Sequence, residues 1–388
     1  MDHTTPRTSD PAPGADRVRT GPRTDTTAGT RTAPRAGTAT LERPHPTSTF
    51  TALTRTVQEA GHMRRRHTFY ALRLLGVGLA VAGLVAGIVL LGDSWWQVAL
   101  AAAAAVVFTQ CAFLGHDAAH RQIFASGKAN DWASLLLANL LVGLSYGWWQ
   151  RKHTRHHANP NKVGADPDID LPVLAFTPQD VAARRTPLSQ WFLRRQGYFF
   201  FPLLLLEGLD LHVSSIRRLL EPGRLERRGL EALLLTVRLG GGLALVLAVM
   251  SPLKALVFLA VQLGLFGLYM GASFAPNHKG MPLVPKDVRI DFLRRQVLMS
   301  RNITGGRWLD IAMGGLNLQV EHHLFPSMPS MSLRRVAPIV REHCATLGVP
   351  YTQVSLARSY AIVVRHLNTV GHHDRDPFVC PLVAAHRV

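Results

Sequence analysis

Four stretches of this 388-residue chain run for about the thickness of a bilayer with almost no charge, and nothing else limits its fold as strongly. Leu72 to Leu91 carries Arg73 alone, and Trp95 to Gly115 carries no charge. Two more follow at about Leu230 to Met250 and Pro252 to Phe274, each with one basic residue, Arg238 and Lys254. Crossing a hydrocarbon core takes roughly 20 apolar residues in a helix. The chain therefore reads as an all-α integral membrane protein with four transmembrane helices in two hairpins, at about 70–92 and 95–115, then 230–250 and 252–274.

The basic residues orient those hairpins. The links Gly92 to Trp95 and Met250 to Pro252 contain no Lys or Arg, whereas Arg64-Arg65-Arg66, the segment from Arg121 to Arg228 and the chain after Lys279 are rich in them. The positive-inside rule then puts both termini on the cytoplasmic side. A formal charge of +18 also fits nucleic-acid binding. Here the cations flank spans, which suits anionic head groups instead, and no nucleic-acid partner is expected.

Residues 1–46 are rich in Thr, Arg, Pro, Ala and Gly and read as a disordered tail that cannot bury enough apolar surface to order itself. A polar C-terminal tail is expected over 366–388, leaving 47–365 as the membrane domain. Two further apolar stretches, Trp132 to Trp149 and Tyr198 to Leu211, read as helices lying against the membrane interface. Leu333 to Leu347 reads as a cytoplasmic helix packed on the rest. Cys111, Cys344 and Cys380 show no metal-type spacing and fit a reducing compartment.

Around the spans lie three histidine clusters: His116-Asp117-Ala118-Ala119-His120, His153-Thr154-Arg155-His156-His157 and Gln319-Val320-Glu321-His322-His323. Residues three and four apart share a helix face, so each cluster is expected to aim its imidazoles at one point. Seven such histidines exceed the needs of one tetrahedral zinc, and a dinuclear site is the economical reading. Imidazole suits iron, copper, zinc and nickel alike, so the ligands alone do not name the metal. All three boxes fall on the predicted cytoplasmic side, held by a helical cap just outside the lipid.

With Ala275-Pro276-Asn277-His278-Lys279-Gly280 ahead of the third box, this arrangement resembles the membrane fatty acid desaturase family over roughly residues 50–360. The Gln-x-x-His-His form of the third box is similar to the front-end branch, whose members place a double bond between an existing one and the carboxyl end. The resemblance implies a cofactor of two iron ions, dioxygen as co-substrate, and desaturation of a long acyl chain presented as membrane lipid or acyl thioester. It implies His116, His120, His153, His156, His157, His322 and His323 as ligands, with His278 completing the shell. Asn277 would hold a metal-bound water, and Gln319 either touches metal or bonds a liganding imidazole.

Many eukaryotic front-end enzymes carry a fused haem domain with His-Pro-Gly-Gly; here His45-Pro46 is followed by Thr and Ser. A separate donor is therefore expected, a ferredoxin-like carrier with its reductase, and a homo-oligomer is compatible with the reading. A hydroxylase or ketolase on the same scaffold would use the same ligands, and a histidine-rich metal transporter is the reading from another class. Among flanking acids, one or two of Asp117, Asp166, Asp168 and Glu321 are expected to hold ligand imidazoles, while Asp170 reads as a solvated loop residue. His212 and His343 read as structural, and Trp148 and Trp149 as interfacial anchors.

Overall fold

The computed structural model describes residues 48–372; the expected N-terminal tail and residues 373–388 of the expected C-terminal tail lie outside the described part. Helix α1 (Thr49–Glu59) opens on Ser48, whose Oγ accepts the Thr51 N–H at 3.1 Å. Then α2 (His67–Leu91) and α3 (Gln97–Ala119) form a hairpin that turns at Gly92, where φ is +58°. Helix α4 (Gly127–Leu135) continues through a wider π-type stretch, Leu136–Val142, before α5 (Tyr146–Ala158). The short α6 (Pro178–Ala183) and α7 (Pro187–Leu193) precede the 25-residue α8 (Gln196–Leu220). Helices α9 (Arg228–Leu235) and α10 (Gly241–Val249) join through a second π-type stretch into one apolar rod, followed by α11 (Pro252–His278).

The rest of the chain builds a small cap from α12 (Phe292–Leu298), β1 (Asn302–Thr304), α13 (Arg307–Ala312), α14 (Gln319–Leu324), α15 (Ser330–Thr346), β2 (Gln353–Ser355) and α16 (Leu356–Gly371). Strands β1 and β2 pair in parallel with Ile303 opposite Val354. Apolar residues at helical spacing on α15, Leu333, Val336 and Val340, bury against Leu53 and Val57 of α1, Leu293 and Val297 of α12, and Val320 and Leu324 of α14. Residues 366–371 are not tail: Leu367 and Val370 continue the buried period of Val363, so the helix runs on to Gly371.

Among the described residues, five helices are long and apolar enough to cross a membrane, which fits a membrane protein. Leu72, Leu75 and Leu79 on α2 are more than half exposed, as suits a face whose neighbour is lipid. The fifth helix is α8, expected from the sequence only as a short interfacial piece over Tyr198 to Leu211. It is longer because His212, Arg217 and Arg218 keep helical geometry beyond the apolar core. Gly208 and Gly267 let α8 and α11 touch backbone to backbone, since a Cβ on either would collide with the opposite main chain.

Contacts at the helix ends show which ends gather together. The two hairpin turns adjoin: Asp93 Oδ1 accepts the Ser251 N–H at 2.8 Å and its carboxylate pairs with Lys254 at 2.9 Å. At the opposite ends of α3 and α11 stand His116 and His278. Both ends of α8 lie on this second side, where the Gly197 N–H meets Asn368 of α16 and the segment after α8 offers the Arg224 carbonyl to Arg151 of α5. The stretch from Trp132 to Trp149 is not one helix, as expected, but breaks at Gly143, whose φ of +95° suits glycine and turns the chain into α5.

Candidate metal centre

The second box sits on α5, whose start is fixed from two directions. Ser145 caps the helix, and the buried Glu231 carboxylate of α9 accepts the Ser145 hydroxyl at 2.6 Å and the Gly147 N–H at 3.2 Å. A negative group at a helix N-terminus complements its exposed N–H groups and its dipole. The first box forms the last turn of α3, and the third opens and fills the one-and-a-half turns of α14, which stops before Pro326 because proline cannot continue it.

These elements bring all eight predicted histidines together, at two points rather than one. Ligand nitrogens of His116, His120, His153, His157 and His322 all lie within 4.8 Å of one another, and those of His156, His278 and His323 form a second such group. Adjacent residues on an α-helix are about 100° apart. Each His-His dipeptide therefore sends one ring to each group: His157 and His322 to the first, His156 and His323 to the second. The sequence expectation that each box converges on a single point holds for His116 and His120 and fails, for this reason, in the two boxes that end in His-His.

In the three-histidine group the outward nitrogen of every ring is anchored. His156 Nδ1 lies 3.1 Å from both oxygens of the buried Asp166, His278 Nδ1 is 2.9 Å from the Met299 carbonyl, and His323 Nδ1 is 2.9 Å from Gln296 Oε1. Each partner is an acceptor, so Nδ1 carries the proton and Nε2 presents its lone pair inward. His323 Nε2 is buried and has no hydrogen-bond partner, and the same holds for Asn277 Oδ1. Gln319 Nε2 stands 2.9 Å from His278 Nε2, and the Asn277 amide donates to the Ser273 carbonyl at 3.1 Å.

The five-histidine group is more crowded. His153 Nε2 lies 2.8 Å from His120 Nε2 and 3.2 Å from His116 Nε2, and His157 Nε2 is 3.1 Å from His322 Nε2. Burial, with the neighbouring imidazoles adding to it, holds the pKa of His153, His157, His322 and His323 well below the usual histidine range. The rings are thereby kept neutral, the form that binds metal. His156 differs: burial works against its charge, but Asp168 and Asp166 outweigh that and raise its pKa. Buried ring nitrogens crowded against one another, with His323 Nε2 left without a partner, are the donor set of a metal site, and both groups could hold an ion.

Of the flanking acids, Asp166 takes the expected partner role, with Asp168 Oδ2 also 3.4 Å from His156 Nδ1. Asp117 accepts the Ser330 hydroxyl at 2.9 Å and the Tyr70 hydroxyl at 3.2 Å, and stands 3.7 Å from His116 Nδ1. Glu321 turns away from the histidines to Asn302 and Tyr351, and burial pushes its carboxyl up to about 7. His212 bonds the Gly208 and Val142 carbonyls and His343 the Thr49 carbonyl, as structural histidines do.

Trp149, expected as an interfacial anchor, stacks its ring on His153 with centroids 4.3 Å apart, because the turn at Gly143 directs α5 inward. Gln296, Met299 and Asn161 were not apparent as site residues. Asn161 donates to the His278 carbonyl at 3.2 Å from a left-handed backbone, and only the Asn-Pro-Asn run before Lys162 hinted at a special turn.

The family described as Fatty acid desaturase matches residues 93–355. A Delta(8)-fatty-acid desaturase of Helianthus annuus is 28% identical over 82% of this chain and 72% of its own length. An acyl-lipid (9-3)-desaturase of Physcomitrium patens is 33% identical over 69% of this chain and 52% of its own. A Delta(6)-fatty-acid desaturase of Caenorhabditis elegans is 28% identical over 84% and 75%. With that match spanning all three histidine boxes, the chain belongs to the fatty acid desaturase family, in likeness to its front-end branch, and is an oxidoreductase.

Proposed function

We propose that this protein is an oxygen-dependent desaturase that introduces a cis double bond into a long acyl chain, with two irons held by its eight histidines. The carrying observation is the division of those imidazoles into two adjoining buried groups whose inward nitrogens crowd against one another, with His323 Nε2 and Asn277 Oδ1 left without partners, in a chain of this family. His116, His120, His153, His157 and His322 would hold one ion. His156, His278 and His323 would hold the other, with Gln319 and the free Asn277 oxygen beside it as further donors to the ion or its water.

Iron in these positions would supply the oxidising power to take two hydrogens from unactivated methylenes, using dioxygen and two external electrons. The protein's own share is binding, orientation and exclusion of water. Asp166, the Met299 carbonyl and Gln296 fix three ring tautomers, while Trp149 and Phe274 pack their rings on His116 at 5.6 Å and 6.3 Å and keep that edge dry. A methylene offers no charge or hydrogen bond, so the position of the double bond rests on how far the chain reaches from its head group. The relatives' names, fatty-acid and acyl-lipid desaturases, favour a lipid-borne or thioester acyl chain.

In this reading four helices, α2, α3, the α9–α10 rod and α11, span the membrane and carry both histidine-bearing helix ends to one side, and the distribution of basic residues supports a cytoplasmic assignment for that side. Helix α8 is read as lying obliquely against α11, in keeping with both of its ends meeting elements on the histidine side. The basic surface suits an acidic electron carrier of the ferredoxin kind.

The test is an acyl-chain profile, with double bonds located by mass spectrometry, of a host expressing wild type or His156→Ala beside a broad-range ferredoxin system. A new unsaturated chain, two hydrogens lighter than its parent and present only with wild type, is expected. A product one oxygen heavier would replace desaturation by hydroxylation.

A further inference from the structure

The last turn of α11 carries His278 and is held by groups that the ligand scheme does not use. Pro276 has no N–H, so the Ala272 carbonyl one turn earlier lacks its helical partner. The Tyr360 hydroxyl of α16 fills that place at 2.9 Å. Arg301 then spans the helix end: its Nε donates to the Pro276 carbonyl at 2.8 Å, its Nη2 to the same oxygen and to the Lys279 carbonyl at 2.7 Å, and its own N–H to the Asn277 carbonyl at 2.9 Å. Ser359 Oγ adds a bond to the Pro276 carbonyl at 2.7 Å. Two residues before Arg301, the Met299 carbonyl receives His278 Nδ1.

Arg301 is 1% exposed and, among the described residues, pairs with no carboxylate. Burying a cation without an anion is costly, and here only the carbonyl end of a helix compensates it. An apolar side chain would fill the same space without that cost, so the guanidinium earns its place by what it holds. Its planar fork reaches two carbonyls that flank His278, which an ammonium cannot span.

We propose that Arg301, supported by Ser359 and Tyr360, is a positioning residue that sets His278 in the three-histidine group and acts on that group alone. The inference rests on the metal reading given above. None of the three side chains hydrogen-bonds to the five-histidine group, whose rings come from the end of α3, α5 and α14.

The experiment compares wild type, Arg301→Lys, Arg301→Met, the double variant Ser359→Ala with Tyr360→Phe, and His278→Ala. Iron per chain and the Mössbauer spectrum are measured beside a thermal melt. Arg301→Met is expected to fall from about two irons to about one, losing the signal that His278→Ala loses and leaving the other unchanged. Arg301→Lys retains part of it, and the double variant binds that iron about tenfold more weakly. Should Arg301→Met not fold, the double variant carries the same readout. Folded variants with full iron and wild-type spectra would overturn the proposal, as would both signals falling together. Wild type that binds no iron would instead overturn the metal reading on which it rests.

Discussion

Asp166 determines which nitrogen of His156 faces inward. Its buried carboxylate accepts the hydrogen bond of His156 Nδ1–H while also accepting the Asn161 N–H at 2.7 Å and the Asp168 N–H at 2.9 Å. Asp166→Ala leaves those donors unpaired and frees the ring, so metal affinity of the three-histidine group should drop about 10- to 100-fold. Chelator competition would measure it, and an unchanged affinity would show that the carboxylate serves the turn alone. At this scale much was legible: seven histidines and His278 could be named from spacing and family resemblance. Their division was not, because it follows from the 100° step between neighbours once both dipeptides are packed face to face, as in the 4.2 Å stacking of His157 on His323. Asp166 shows why its role was hard to single out: the turn it forms over Pro167–Ile169 and the bond to His156 are made by the same carboxylate.

Helices α8 and α11 cross where Gly208 meets Gly267, and that close approach is what α8 contributes to the scaffold. Gly267→Leu would drive a side chain into the Leu204 carbonyl and the Gly208 backbone. Overpacking of this kind typically costs about 1–3 kcal/mol, and here the crossing has no flexible neighbour to yield. A lowered melting temperature in detergent is expected, with little change from Gly76→Leu, which meets open space on α2. The apolar runs were plain in the sequence because lipid demands them. Helix α8 was misjudged in length, since hydropathy falls at Glu207 and Asp210 while the helix continues to Leu220. The break at Gly143 was equally hidden, as a glycine inside an apolar run signals a turn only when its backbone adopts the left-handed region.

For the whole molecule, the two hairpins do one thing for the chemistry: they bring the ends of α3 and α11 to the same side, where α5 and α14 complete the histidine groups. The long apolar helices and the family both fit a membrane enzyme. Eight histidines are read as two unlike centres, five rings at one and three at the other. Iron analysis and Mössbauer spectroscopy of the purified wild type and of His323→Ala test this division. About two irons per chain in two distinguishable environments are expected, with His323→Ala losing the three-histidine environment and keeping the other. A single iron environment in wild type, or equal loss from both in the variant, would contradict it.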